Sequence, residues 1–250
     1  MKSITIGADP ELFIIDSTTG NVVSSIGIIP GEKGNPWRGD DMPEGFGLET
    51  DNILAEFNIP PCTTKEEFIN NIEYMKNYID QFVKKINPNY TIMCKASANV
   101  PEDQLQSKQA KEFGCDVDYN AYTEMPNPKP KGTSTNLRSA GLHIHVGYNN
   151  PNVDTSLALI KAMDITLGIP SVVLDPDTKR RSLYGKAGAF RLTDYGFEYR
   201  VLSSAMMNHL DFVWDGIQKA LNGNFSGIPS EKVQYIINNS DVELAKKYTR

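Results

Sequence analysis

Apolar and polar positions alternate with a period of two over Ile4–Ile15, which predicts a strand with Asp9 and Glu11 projecting from one face. The same period runs through Leu142-His143-Ile144-His145-Val146, so both imidazoles share one face and the three aliphatic side chains share the other. Gly47–Ile59 reads as a strand pair turned around Thr50-Asp51-Asn52 and ended by Pro60-Pro61, with Glu49 and Glu56 facing each other across the turn. Tyr90–Ala96 is a further strand, and Ala189–Leu192 with Phe197–Leu202 forms a hairpin turned at Thr193–Gly196, with Glu198 and Arg200 two residues apart. A helical period appears from a cap at Thr63 or Thr64 to about Ile86, with Phe68, Ile72, Met75, Ile79, Phe82 and Val83 on one face. Helices are also predicted over Gln104–Phe113, Asp154–Leu167, Ser204–Leu221, Ser230–Asn238 and Asp241–Lys247. Gly27–Gly47 and Pro126–Thr135 are broken by Gly, Pro and polar residues and read as loops, the first a candidate lid whose Trp37 and Arg38 meet substrate. Strands come in runs rather than in alternation with helices, which predicts an α+β fold with an antiparallel sheet, in one domain over residues 1–250.

Composition narrows the function. With 40% hydrophobic and 22% charged residues, the 250-residue chain is an ordinary globular protein able to bury a large core. A net charge of −6 argues against general nucleic-acid binding. Cys62, Cys94 and Cys115 make neither a disulfide framework nor a paired-cysteine zinc site, so a reducing cytoplasm is expected. The segment MKSITIGADPELF does not read as a signal peptide, and no apolar run approaches the ~20 residues that span a membrane.

Carboxylates of like charge on one strand face repel one another, and a cation relieves that repulsion. Hard oxygen ligands select magnesium, with manganese as the alternative. Zinc is the other reading of two closely spaced histidines, but His209 is the one histidine left, in a helical pattern beside Met206, Met207 and Leu210. The run Lys179-Arg180-Arg181-Ser182-Leu183-Tyr184-Gly185-Lys186-Ala187-Gly188-Ala189-Phe190-Arg191, with Arg200 beyond it, suits phosphate groups. It is not a Walker A loop, because the upstream glycine is missing. A solvated acidic face, a solvated basic loop and a structural histidine pair are the corresponding readings without a ligand.

Taken in order, several motifs resemble the phage-type carboxylate–amine ligases, amidoligases allied to glutamate–cysteine ligase in the glutamine synthetase superfamily. They are Gly7-Ala8-Asp9-Pro10-Glu11-Leu12-Phe13, Asp51-Asn52 with Glu56-Phe57-Asn58, Gly141-Leu142-His143-Ile144-His145-Val146-Gly147, Tyr184-Gly185-Lys186-Ala187-Gly188, and Glu198 with Arg200. The resemblance implies a glutamine synthetase-like curved antiparallel sheet, a funnel backed by helices that binds ATP and Mg2+. It implies that Asp9, His143 and Glu198 share one metal and that Glu11, Glu49 and Glu56 hold another, with Asp51 able to replace Glu49. Arg200, Arg191 and Lys186 would meet the transferring phosphate, Arg180, Arg181 and again Lys186 the bound nucleotide, and His145 the nucleotide or the site as a brace. The activity implied is ATP-dependent amide formation from a small-molecule or peptide carboxylate and an amine, in the host cytoplasm for a phage-encoded chain. A metal-dependent hydrolase and a nucleotide-binding module without catalysis are the alternatives at this point.

Overall fold

The computed structural model describes residues 4–111, 117–128 and 135–249. In chain order the elements are β1 (Thr5–Asp16), β2 (Val22–Val23), β3 (Gly47–Asp51), β4 (Leu54–Asn58), α1 (Lys65–Ile86), β5 (Tyr90–Met93), β6 (Ser97–Asn99), α2 (Lys108–Lys111), β7 (Tyr119–Asn120), β8 (Leu137–Ser139) and β9 (Leu142–Gly147). Then follow α3 (Val153–Met163), α4 (Ile169–Leu174), α5 (Lys179–Leu183), β10 (Ala189–Thr193), β11 (Gly196–Tyr199), α6 (Leu210–Leu221), α7 (Ser230–Asn239) and α8 (Val242–Ala245).

The fold is α+β, with a large antiparallel sheet backed by helices. Among the described residues the sheet runs β3-β4-β1-β9-β11-β10-β7, with β2 and β5 paired to the far half of β1. β1 is its hub: Asp9 lies opposite His143 of β9, Glu11 opposite Glu56 of β4, and Ile14 opposite both Ile92 of β5 and Val23 of β2. Alternation sends Ile6, Ala8, Leu12, Ile14, Leu142, Ile144, Val146, Phe197 and Tyr199 to the helix-backed face, where all are buried. A smaller cluster containing Phe13, Ile53, Leu54, Val100, Leu105 and Ala140 closes one end of the opposite face.

α1 begins as its sequence predicts. Thr64 caps the Glu67 amide while the Glu67 carboxylate accepts from the Thr64 amide, and Phe68, Ile72, Met75, Ile79 and Val83 are buried. The expected helix at 104–113 is a 3-10 turn over Glu102–Leu105 followed by α2. Its last residues and Cys115 lie outside the described residues, as does most of the Pro126–Thr135 loop. The helix predicted over Asp154–Leu167 runs further. α3, a π-helical turn at Asp164–Gly168 and α4 are continuous over Val153–Leu174, a span long and apolar enough to cross a membrane. That corrects the expectation of no such run. Most of its apolar stretch is buried inside the protein, as befits a core helix.

The π turn turns Asp164 inward, where its carboxylate accepts from the hydroxyls of Tyr199 at 2.8 Å and Tyr122 at 2.9 Å. Burial pushes this carboxyl up to about 7. Between 3.8 and about 7 the folded state therefore binds more protons than the unfolded one, so stability falls as pH rises through that window. Asp164→Asn is expected to reduce the fall by on the order of 2–4 kcal/mol, read as the difference between urea unfolding free energies at the two ends of the window.

Candidate active site

Register builds the site on the sheet face opposite the helices. Glu49, Glu56 and Glu11 form one row across β3, β4 and β1, and His145, Glu198 and Arg191 form another across β9, β11 and β10. Asp9 and His143 lie between them as direct partners on β1 and β9. One half of the face is thus acidic and the other carries guanidinium groups.

In the acidic half, Glu11, Glu56 and His143 each bring a ligand atom within 4.8 Å of the others. Burial, then the charge of Asp51, pushes Glu11 up to about 7, although its Oε2 accepts from the Gly141 amide at 2.5 Å. Glu56 is raised well above the carboxylate range by burial and then by Glu11, Asp51, Asp9 and Glu49. Burial also raises Glu49, whose Oε2 accepts from the Gly34 amide at 3.1 Å. Burial and Arg200 hold the His143 imidazole neutral, far below its ordinary value. Its Nδ1 faces Glu198 Oε1 at 3.3 Å and Arg200 at 3.4 Å, and its Nε2 lies beside Gly141. Two crowded carboxylates and a neutral, oriented imidazole form a donor set that fits a hard divalent cation.

Glu198 anchors the basic half. It is 2% exposed, and Arg191 forks onto it through Nε at 2.6 Å and Nη2 at 3.1 Å, while Arg200 Nη1 binds Oε1. Burial disfavours its charge, but His143, Arg200 and Arg191 overcome that and hold it well below the carboxylate range. Arg200 Nε lies 3.8 Å from Asp118. Arg180 is buried and donates from Nη1 to the Val201 carbonyl at 3.0 Å, and its charge reaches Glu11. Two glycines leave it room: a Cβ on Gly185 would lie 1.9 Å from Arg180 Nη1, and one on Gly141 would lie 3.1 Å from Nη2.

His145 spans Asp9 Oδ2 at 2.8 Å and the Tyr195 hydroxyl at 2.5 Å. Burial opposes its charge, yet the Asp9 hydrogen bond and charge outweigh burial and raise its proton affinity. These groups border an open cleft of about 340 Å³ with Thr5, Asn58 and Pro61.

The face collects Asp9, Glu11, Glu49, Glu56, His143, His145, Glu198, Arg191 and Arg200, but the grouping differs from the one expected. His143 clusters with Glu11 and Glu56, while Asp9 is bound to His145. Arg181 is a correction. Residues 179–183 form a helix, so Arg180 and Arg181 diverge by about 100°. Arg181 is buried on the helical side, donating to Ser171 Oγ at 2.8 Å, and does not face the acids. Lys186 is half-buried on the turn after α5, and burial followed by the charge of Arg181 lowers its proton affinity. In the Gly27–Gly47 segment Trp37 packs on Tyr78 and Phe82, and Arg38 donates to the Phe46 carbonyl. Asp118 and Tyr195 were missed. Asp118 does carry a signal, since Asp116-Val117-Asp118 has the same i, i+2 acid spacing as Asp9 and Glu11, whereas Tyr195 has none and is placed only by the hairpin turn.

No curated protein matches the chain. One family model does, over the segment carrying β9, α5, the β10–β11 hairpin and the start of α6. Residues 133–211 match the family described as Phage phiEco32-like COOH.NH2 ligase-type 2, a match that supports a phage-type carboxylate–amine ligase.

Proposed function

We propose that this chain joins a carboxylate to an amine at the expense of ATP, through an acyl phosphate. The reading rests on one observation above the others: a single sheet face polarised from Glu49, Glu56 and Glu11 to Arg191 and Arg200, with His143 and Glu198 at the boundary, in a chain matching a carboxylate–amine ligase family.

A carboxylate is a poor electrophile. Its oxygen attacks the γ-phosphorus of ATP and ADP leaves. The amine nitrogen then attacks the acyl carbon, phosphate leaves, and the nitrogen loses a proton to give the amide. Glu11, Glu56 and His143, with Glu49 or Asp51, would hold Mg2+ or Mn2+, which neutralises phosphate charge when bound. Asp9 retains a place at this edge through His145. Arg191 and Arg200 are held rigid by Glu198, which fixes their positive charge beside the place where the transferring phosphoryl group would develop negative charge. Arg180 adds positive potential behind them. The curved funnel of the glutamine synthetase superfamily belongs to the same reading.

The test is a screen of amino acids and short peptides, in pairs, for ADP release with Mg2+ present. Release that requires both a carboxylate and an amine is the expected result. Phosphate release that ignores the amine in every pair, or hydrolysis without ATP, would establish the hydrolase instead.

A further inference from the structure

We propose that Lys33 is an internal counter-cation of the acidic row, and that a divalent cation held by Glu11, Glu56 and His143 with Asp51 as a further ligand exchanges with it and frees the strap at residues 31–36. The inference rests on the cation-binding reading above.

The Gly27–Gly47 segment is not a loose lid. Trp37 and Leu48 exchange backbone hydrogen bonds at 2.8 and 3.0 Å, the Thr50 amide donates to the Gly31 carbonyl at 2.9 Å, and the Trp37 ring rests on Tyr78 and Phe82. Tyr78 in turn donates to Asp41 at 2.9 Å. Both ends of residues 31–36 are therefore tied by backbone and aromatic contacts that a cation does not touch.

The tip is held differently. Glu32 and Asn35 close a tight turn, with Gly34 at φ +79°. From that turn Lys33 Nζ meets both oxygens of Asp51 at 3.0 Å, and the Gly34 amide donates to Glu49 Oε2 at 3.1 Å. The carboxylates that hold the tip are thus members of the acidic set, and the charge of Asp51 reaches Glu11, Glu49 and Glu56. An ammonium centred on both oxygens of one carboxylate stands where a divalent ion would bind it bidentately. The Lys33 side chain is 39% exposed, so the pair is weak enough to be replaced by an ion of twice its charge.

The experiment uses Mn2+ alone as probe, titrated by electron paramagnetic resonance into the wild type, Lys33→Met and Lys33→Arg. Lys33→Met is expected to bind Mn2+ about two- to fivefold more tightly at low salt, because a competitor is gone, while Lys33→Arg stays near the wild type. Hydrogen exchange on the wild type is expected to show faster exchange in the peptide containing Gly34 when Mn2+ is added. Equal affinity in Lys33→Met with unchanged exchange at Gly34 overturns the exchange mechanism alone. Failure of Mn2+ to bind any of the three overturns it together with the cation reading. The amine-dependent ADP screen is scored separately from both.

Discussion

Glu198→Gln is expected to abolish amide formation and to lower stability by about 3–5 kcal/mol. Glu198 is 2% exposed and Arg200 4% exposed, so water cannot replace a lost ion pair there. The glutamine amide keeps one acceptor oxygen but points an NH2 group at guanidinium donors that now fork onto both carboxylate oxygens. Arg200 is then left as a buried charge with weakened compensation, and Arg191 loses the geometry that aims it. His143 loses the partner that faces its Nδ1. Urea unfolding measures the first effect, and ADP release by variant protein shown to be folded measures the second. A variant with wild-type turnover would remove Glu198 from the site.

Gly141→Ala is the second large effect, and it acts through space rather than backbone conformation. A Cβ there would lie 2.6 Å from His143 Nε2 and 3.0 Å from its Cδ2, with Arg180 Nη2 3.1 Å away. The backbone at Gly141 is also committed, since its amide donates to Glu11 Oε2 and its carbonyl accepts from the Glu11 amide at 3.0 Å. The imidazole must therefore give way, and it leaves the position that brings it near Glu11 and Glu56. Mn2+ affinity is expected to fall about 10–100-fold, as when the support of a ligand is disturbed. The accompanying cost of about 1–3 kcal/mol is that of overpacking. Unchanged Mn2+ binding would show that His143 plays no part in holding the ion.

The strands that carry the site were legible because each has a buried face and so a clear period of two. That periodicity placed Asp9, Glu11, His143, His145 and Glu198 on faces correctly. It could not tell which of them meet, because neighbours across strands depend on register, and register is fixed by pairing partners far away in the chain. Asp9 opposite His143 yet bonded to His145 is the plainest case. No element is predicted over Lys179–Leu183, because α5 is five residues long and Thr178 gives it no side-chain cap, so no helical signal stands out. β2, β6, β7 and β8, at two or three residues each, are too short to show any period. Thr64 and Glu67, by contrast, announced the start of α1 through a local capping pattern that needs no tertiary context.

The place of β1 at the sheet's hub sets the order in which the protein can be assembled. Glu11 and Gly141 are 130 residues apart in sequence, and β9 completes its own pairing through β11. During synthesis the central strand leaves the ribosome long before the neighbour that covers its β9 side. Local hairpins such as β3–β4 can close early, whereas β1 waits as an open edge with its acids unscreened. The charges of Asp9 and Glu11 on that waiting edge disfavour an acidic partner or burial under an apolar one, so the charges that crowd the finished site also act as a guard while it is being built.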